Sequence, residues 1–188
     1  MLGCRPLSDE EIQLVSQSFF GKYALRDRCL FELGIRSGFR ISELLSLRVE
    51  DVLQYGRLTD RITCQRRSMK GGHQSRSVIL HSKARAALQE WLQVLPGTTG
   101  PLFPSRKGDK AISRQQAHTV LREAFRANEL QGKVATHSMR KSFANKVYEG
   151  SGRDLVRTAA ALGHKSVGST MSYLSFKESE IDDLVLST

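Results

Sequence analysis

Apolar residues recur at helical spacing along almost the whole chain and at strand spacing in one place only. That pattern confines the fold to helices packed around one small antiparallel sheet, a mainly α (α+β) class. Ser8-Asp9-Glu10-Glu11 predicts a helix start, with Ser8 as N-cap and Glu11 closing a capping box, followed by Ile12, Leu14, Val15, Phe19 and Phe20. Leu25, Cys29, Leu30, Phe31 and Leu33 predict a second helix that stops near Ser37-Gly38, and residues 41–47 a short third one. Alternating, β-branched residues at 58–64 and 76–81 predict two strands, and Lys70-Gly71-Gly72-His73 between them makes a β-hairpin. Ser82 is expected to cap a helix that Pro96-Gly97 ends, with further helices at 113–128, 138–149, 154–162 and 169–176. The 169–176 helix would carry Tyr173, and a last amphipathic piece would carry Ile181, Leu184 and Val185.

A length of 188 residues, 39% of them hydrophobic, fits one packed domain spanning 1–188. No apolar run approaches the roughly 20 residues that span a bilayer, and residues 1–6 lack a signal-peptide core, so a cytoplasmic protein is expected. Cys4, Cys29 and Cys64 lie far apart with no CxxC pair, which excludes a disulfide framework and a four-cysteine zinc site. The 29 Lys+Arg against 19 Asp+Glu give a net charge of +10, which makes a polyanion the first partner to consider. Between Arg61 and Arg85 seven basic residues meet no acidic one, whereas in residues 174–188 Lys177 stands against Glu178, Glu180, Asp182 and Asp183. A solvated basic face is the plain alternative. Membrane-surface binding fits less well, because the basic stretch follows a strand pattern and not an amphipathic helix.

The chain has no GxSxG, HExxH, Walker or dinucleotide-binding motif. It offers instead cationic and hydrogen-bonding groups at helix starts, and a tyrosine. Arg40 opens Ile41-Ser42-Glu43-Leu44, and Lys70 lies at the hairpin tip. His137 and Arg140 are one turn apart, and His164 follows Gly163 nine residues before Tyr173. Taken singly, each has a structural explanation: Arg40 a helix-end charge with Arg36 as rival for its face, Lys70 a loop lysine, His137 an N-cap, His164 a loop residue, Tyr173 a half-buried aromatic. His73, His81 and His118 read as loop tip, strand end and helix flank.

As a set, in this order, these residues resemble the catalytic domain of the tyrosine recombinases, the phage-type integrases. Gly38-Phe39-Arg40-Ile41-Ser42-Glu43-Leu44 resembles the family's G-x-R-x-S-E-L box. Thr136-His137-Ser138-Met139-Arg140 through Ala144 resembles its H-x-L-R-x-x-F-A box, with Met139 in place of Leu. Leu162-Gly163-His164-Lys165-Ser166 with Ser169-Thr170 and Tyr173 resembles its L-G-H-x-S…T-x-x-Y box.

The resemblance implies a site-specific DNA recombinase that needs no metal, cofactor or ATP. Tyr173 would attack the phosphodiester to form a 3′-phosphotyrosyl link and release a 5′-hydroxyl. Arg40, Arg140 and His164 would stabilise the nonbridging oxygens, His137 would take the phenol proton, and Lys70 would protonate the leaving oxygen. Glu43 would orient Arg40. Arg66, Arg67, Arg76, Arg106, Lys107, Lys141 and Lys165 are the basic residues expected to contact DNA. The loop at 69–76 departs from the family's K-x-G-K-x-R. Relatives commonly carry an N-terminal clamping domain, whereas only about seven residues precede the first helix here, so a short single-domain form is expected. The resemblance further implies double-stranded DNA as partner, a tetramer on paired sites with the 174–188 tail exchanged between protomers, and a prokaryotic, nucleoid-associated setting. Two alternatives share the scaffold: a catalytically silent DNA-binding module, and a topoisomerase-like relaxing enzyme.

Overall fold

The structure, a computed structural model, describes residues 3–64, 75–106, 110–164, 166–171, 173–174 and 186. The chain groups into two compact units, Met1–Phe143 and Ala144–Thr188. Among the described residues the fold is mainly α, with two small antiparallel ladders where the sequence predicts one.

In the first unit, α1 (Asp9–Gln17) starts at the expected capping box: Ser8 Oγ accepts from Glu11 N at 3.2 Å, and Glu11 Oε2 accepts from Ser8 N at 2.9 Å. Ile12 and Val15 are buried, but Leu14 is on the opposite helix face and Phe20 lies beyond the helix end, so both are exposed.

The central helix is α2 (Ala24–Ser37). Its Cys29, Leu30 and Leu33 face one apolar cluster, and Phe31 and Ile35 face a second with Val15, Leu121, Phe125 and Met139. A helix buried on so many sides has to pair its charges internally. Arg26 does so with Asp27 at 2.8 Å, and Arg36 with Glu32 at 2.7 Å. The helix ends at Gly38, which has a left-handed φ of 60°. A Cβ there would meet the Phe143 ring at 2.3 Å, so both backbone and space require glycine.

From Gly38 the chain enters α3 (Ile41–Ser46) and α4 (Val49–Val52), then a hairpin of β1 (Leu53–Gln54) and β2 (Arg57–Leu58) that the sequence reading lacks. Its turn places Tyr55 at φ 50° and Gly56 at φ 73°, the twist of a type I′ turn, and tyrosine does not announce such a turn. The expected hairpin is present as β3 (Arg61–Cys64) and β4 (Arg76–Ile79), with Cys64 opposite Arg76.

Helix α5 (Ser82–Val94) is capped by His81 and not by Ser82: His81 Nδ1 accepts from Lys83 N at 3.1 Å. Helix α6 (Arg114–Ala127) starts at a Ser113–Gln116 capping box. Helix α7 (Thr136–Gly150) begins two residues earlier than expected, so His137 sits within its first turn.

In the second unit, Asp154 caps α8 (Leu155–Leu162) by accepting from Val156 and Arg157 N–H. A Schellman pair closes it: Gly163 N donates to Ala160 O and His164 N to Ala159 O, each at 3.0 Å. Helix α9 (Val167–Met171) starts and stops earlier than predicted, leaving Tyr173 in a turn beyond its end, with Tyr173 N donating to Thr170 O at 2.9 Å. The expected helix over 181–186 lies outside the described residues except for Leu186. No helix of the described residues is long and apolar enough to cross a membrane.

Candidate functional site

The first unit gathers its candidate side chains where α2 hands over to α3. Arg40 is the N-cap of α3, and Glu43 is three residues on, so the two meet through local geometry alone. Glu43 Oε2 accepts from Arg40 N at 2.7 Å, and Oε1 accepts from Arg40 Nη1 at 2.9 Å. The carboxylate thus holds both the backbone and the guanidinium of Arg40, whose side chain remains 26% exposed. Arg36, the rival for this role, is committed to Glu32.

Arg140 reaches the same corner from α7 and is almost fully buried. Its Nη1 donates to the Gly38 carbonyl and lies 4.0 Å from Glu43 Oε2. Burying a guanidinium costs several kcal/mol unless acceptors replace its water. The carbonyl end of α2, which carries the negative end of the helix dipole, supplies such acceptors.

Arg76 arrives from β4 and donates to the carbonyls of Ser37 and of Gly38, the latter at 3.1 Å. Two guanidiniums, Arg40 and Arg140, therefore lie against the Glu43 carboxylate, and Arg140 and Arg76 meet at the carbonyl end of α2. Burial first, then repulsion from Arg140 and Arg40, lowers the Arg76 pKa to about 10, against the pull of Glu43. His137, one turn before Arg140 and exposed, has its pKa pushed below the ordinary histidine value by partial desolvation, then by Arg140, Arg40 and Lys141. A surplus of fixed positive charge beside a neutral imidazole suits an anion whose attack requires loss of a proton.

The second unit holds His164 and Tyr173. The Schellman closure of α8 fixes the His164 backbone, and its Nδ1 lies 2.9 Å from the Oγ1 of buried Thr170. The His164 and Tyr173 rings stand 5.0 Å apart between centroids.

The other expected positions divide. Lys70, Arg66, Arg67, Lys107 and Lys165 lie outside the described residues. Lys141 follows Arg140 on α7, and its charge adds to those that lower the His137 pKa. Arg106 lines a cavity of about 360 Å³ with Lys22, Tyr23, Arg26 and Trp91, none of which belongs to the guanidinium cluster. Arg76, expected to face DNA, has both terminal nitrogens turned onto the end of α2. The Gly38 carbonyl is the group that side-chain reading misses; a glycine directly after a helix and two residues before Arg40 is its signal in the sequence. Among the described residues no group of three or more His, Cys, Asp or Glu is arranged to hold a metal ion.

The family model described as the phage integrase family matches residues 7–180. The chain is 34% identical over 153 residues to tyrosine recombinase XerC of Pelobacter propionicus, covering 80% of this chain and 48% of that protein. It is 32% identical over 169 residues to the probable integrase/recombinase YoeC of Bacillus subtilis, covering 90% and 87%. The chain thus spans about half the length of the XerC relative and most of YoeC. The crystal structure of XerA recombinase matches its fold with a TM-score of 0.79 at 23% identity, over 100% of this chain and 64% of that one. XerH recombinase bound to its palindromic difH substrate matches with a TM-score of 0.75 at 25% identity, over 98% and 53%.

Proposed function

The chain belongs to the phage integrase family, and from that premise we propose that it is a site-specific DNA strand transferase working through a 3′-phosphotyrosyl intermediate. The observation that carries the reading is the gathering of Arg40 and Arg140 at the Glu43 carboxylate, with Arg140 and Arg76 sharing the carbonyl end of α2. Positive charge fixed in a partly dry site stabilises the nonbridging oxygens of a phosphodiester as charge builds on them, and costs no reorganisation at the moment of reaction. In this reading the partly exposed Arg40 and the buried Arg140 engage those oxygens, and Glu43 sets the fork of Arg40. With Nδ1 engaged by Thr170, the phosphate-donor role of His164 falls to Nε2.

Tyr173 is the nucleophile. Its phenol, of pKa about 10 in water, has to lose a proton. His137, whose pKa is pushed down by partial desolvation and then by the neighbouring cations, is suited to take it. Lys70 protonates the leaving 5′-oxygen. The arginines supply the charge that a metal ion would otherwise bring, and the phosphotyrosyl bond conserves the energy for rejoining, so neither metal nor ATP enters the scheme. Two paired sites would be held by a tetramer, with residues 174–188 passing between protomers. A supercoiled plasmid that is relaxed but never recombined would favour the topoisomerase-like reading.

The test is covalent trapping on nicked suicide duplexes that tile the DNA flanking the encoding locus. Wild type is expected to yield a protein–DNA adduct, and Tyr173→Phe none, with non-covalent binding nearly unchanged because only a hydroxyl is removed. An adduct that persists in Tyr173→Phe would remove Tyr173 from the role.

A further inference from the structure

Arg76 is the first residue of β4, within the most basic stretch of the chain, and by sequence it belongs on a DNA-facing surface. Its contacts are of another kind. Nη1 donates to the Gly38 carbonyl at 3.1 Å, Nη2 donates to the Ser37 carbonyl, and Nε is buried. The guanidinium carbon lies 4.9 Å from the Phe39 ring centroid and 5.8 Å from that of Phe143. Phe143 is also the ring that leaves no room for a Cβ at position 38. The Gly38 carbonyl in turn accepts from Arg140 Nη1. One carbonyl oxygen therefore joins two guanidiniums, one from β4 and one from α7.

We propose that Arg76 is a positioning residue for Arg140, acting through the Gly38 carbonyl that both guanidiniums share. The proposal rests on the strand-transfer reading above and reassigns Arg76 from DNA contact to alignment of the charge that meets the phosphate. A planar fork spanning two successive carbonyls while lying against two aromatic rings is a task for arginine. Lysine offers one compact ammonium on a flexible stem and can neither bridge both carbonyls nor stack. With a pKa near 10, Arg76 remains charged at neutral pH despite its burial, so its grip on the carbonyls persists there. A left-handed glycine has the softest backbone in the corner, and its carbonyl orientation needs such a clamp.

The experiment compares wild type, Arg76→Lys, Arg76→Gln and Arg140→Ala on the tiled duplex that wild type cleaves. It reads the single-turnover cleavage rate, the Kd and its salt dependence, and the melting temperature. Positioning predicts that Arg76→Lys cleaves about tenfold to a hundredfold more slowly, the range for residues that orient a catalytic group, with Kd unchanged. In Arg76→Gln the salt slope stays at the wild-type value. On a duplex with a neutral methylphosphonate at the scissile position, where less charge has to be met, the Arg76→Gln and Arg140→Ala defects both shrink.

Three results overturn the proposal: Arg76→Lys cleaving at the wild-type rate, a salt slope reduced by about one in Arg76→Gln as for a lost phosphate contact, or an Arg76→Gln defect of equal size on both substrates. Should Arg76→Gln melt below the assay temperature, Arg76→Lys on the two substrates decides by the same criteria. Wild type forming no adduct on any tile overturns the strand-transfer reading itself, a result separate from any behaviour of the Arg76 variants.

Discussion

Arg140 in the first unit and Tyr173 in the second both carry chemistry in this account, yet they are held in different ways. Arg140 is buried, donates to the Gly38 carbonyl and lies near Glu43, while Arg76 holds the same carbonyl from another element. Tyr173 lies in the turn after a five-residue helix, tied by its backbone to Thr170 and flanked by the His164 ring. The difference is one of requirement. A charge acts electrostatically only if it is fixed and poorly solvated, so it is built into a packed corner whose carbonyls and carboxylate offset the cost of burial. A nucleophile has to reach and leave a substrate atom, and a turn at the end of a short helix, beside the His164 ring, suits that.

The sharpest challenge to this contrast is Arg140→Ala. Cleavage is expected to fall by about 10²–10³-fold, the loss seen when one oxyanion-type donor is removed. Adduct formation under single-turnover conditions reads it, and a loss under tenfold would break the contrast. Next, Gly38→Ala forces a Cβ into a left-handed position and against Phe143. Strain of this kind costs about 1–3 kcal/mol, visible as a lower urea midpoint. Gly38→Ala/Phe143→Leu should recover the steric part and leave the backbone part. In the second unit, Thr170→Val removes the partner of His164 Nδ1 while keeping the side chain's shape. A roughly tenfold slower cleavage is expected, in line with one orienting hydrogen bond, with the melting temperature changed by only a few degrees.

Much of this corner was legible from the sequence, through residues whose roles are local. Arg40 and Glu43 meet because they are three apart at a helix start, and His137 and Arg140 share a face because they are one turn apart. Gly38 was legible as a helix stop. What it shares with Arg76 was not, since 38 residues separate them and strand alternation says nothing of which distant carbonyl a side chain reaches. The β1–β2 hairpin stayed hidden because its turn uses Tyr55, and the cap of α5 because histidine rarely serves as one. Helical spacing at Tyr173 suggested a helix where the backbone has already turned.

The smallest expected effect is that of pH. His137 has a folded-state pKa below its unfolded value of about 6.5, so the unfolded chain binds the proton more readily. Its contribution to stability is complete above the unfolded pKa and is lost as pH falls through the folded one. Wild type should therefore lose more stability than His137→Gln between pH 7 and pH 5, by a small margin because the residue is exposed and its charges are screened. The acid limb of the cleavage rate should lie below the ordinary histidine range in wild type and vanish in His137→Gln. Equal melting curves and equal pH–rate profiles in the two proteins would contradict the assignment.

Mapping the covalent adduct decides whether this chain joins itself to DNA through one tyrosine of its second unit. Wild-type protein trapped on a suicide duplex is digested with nuclease and protease, and its peptides are weighed by mass spectrometry. A residual nucleotide is expected on the peptide that contains Tyr173, attached through its 3′-phosphate. A nucleotide on any other residue, or one attached through a 5′-phosphate, would contradict this assignment.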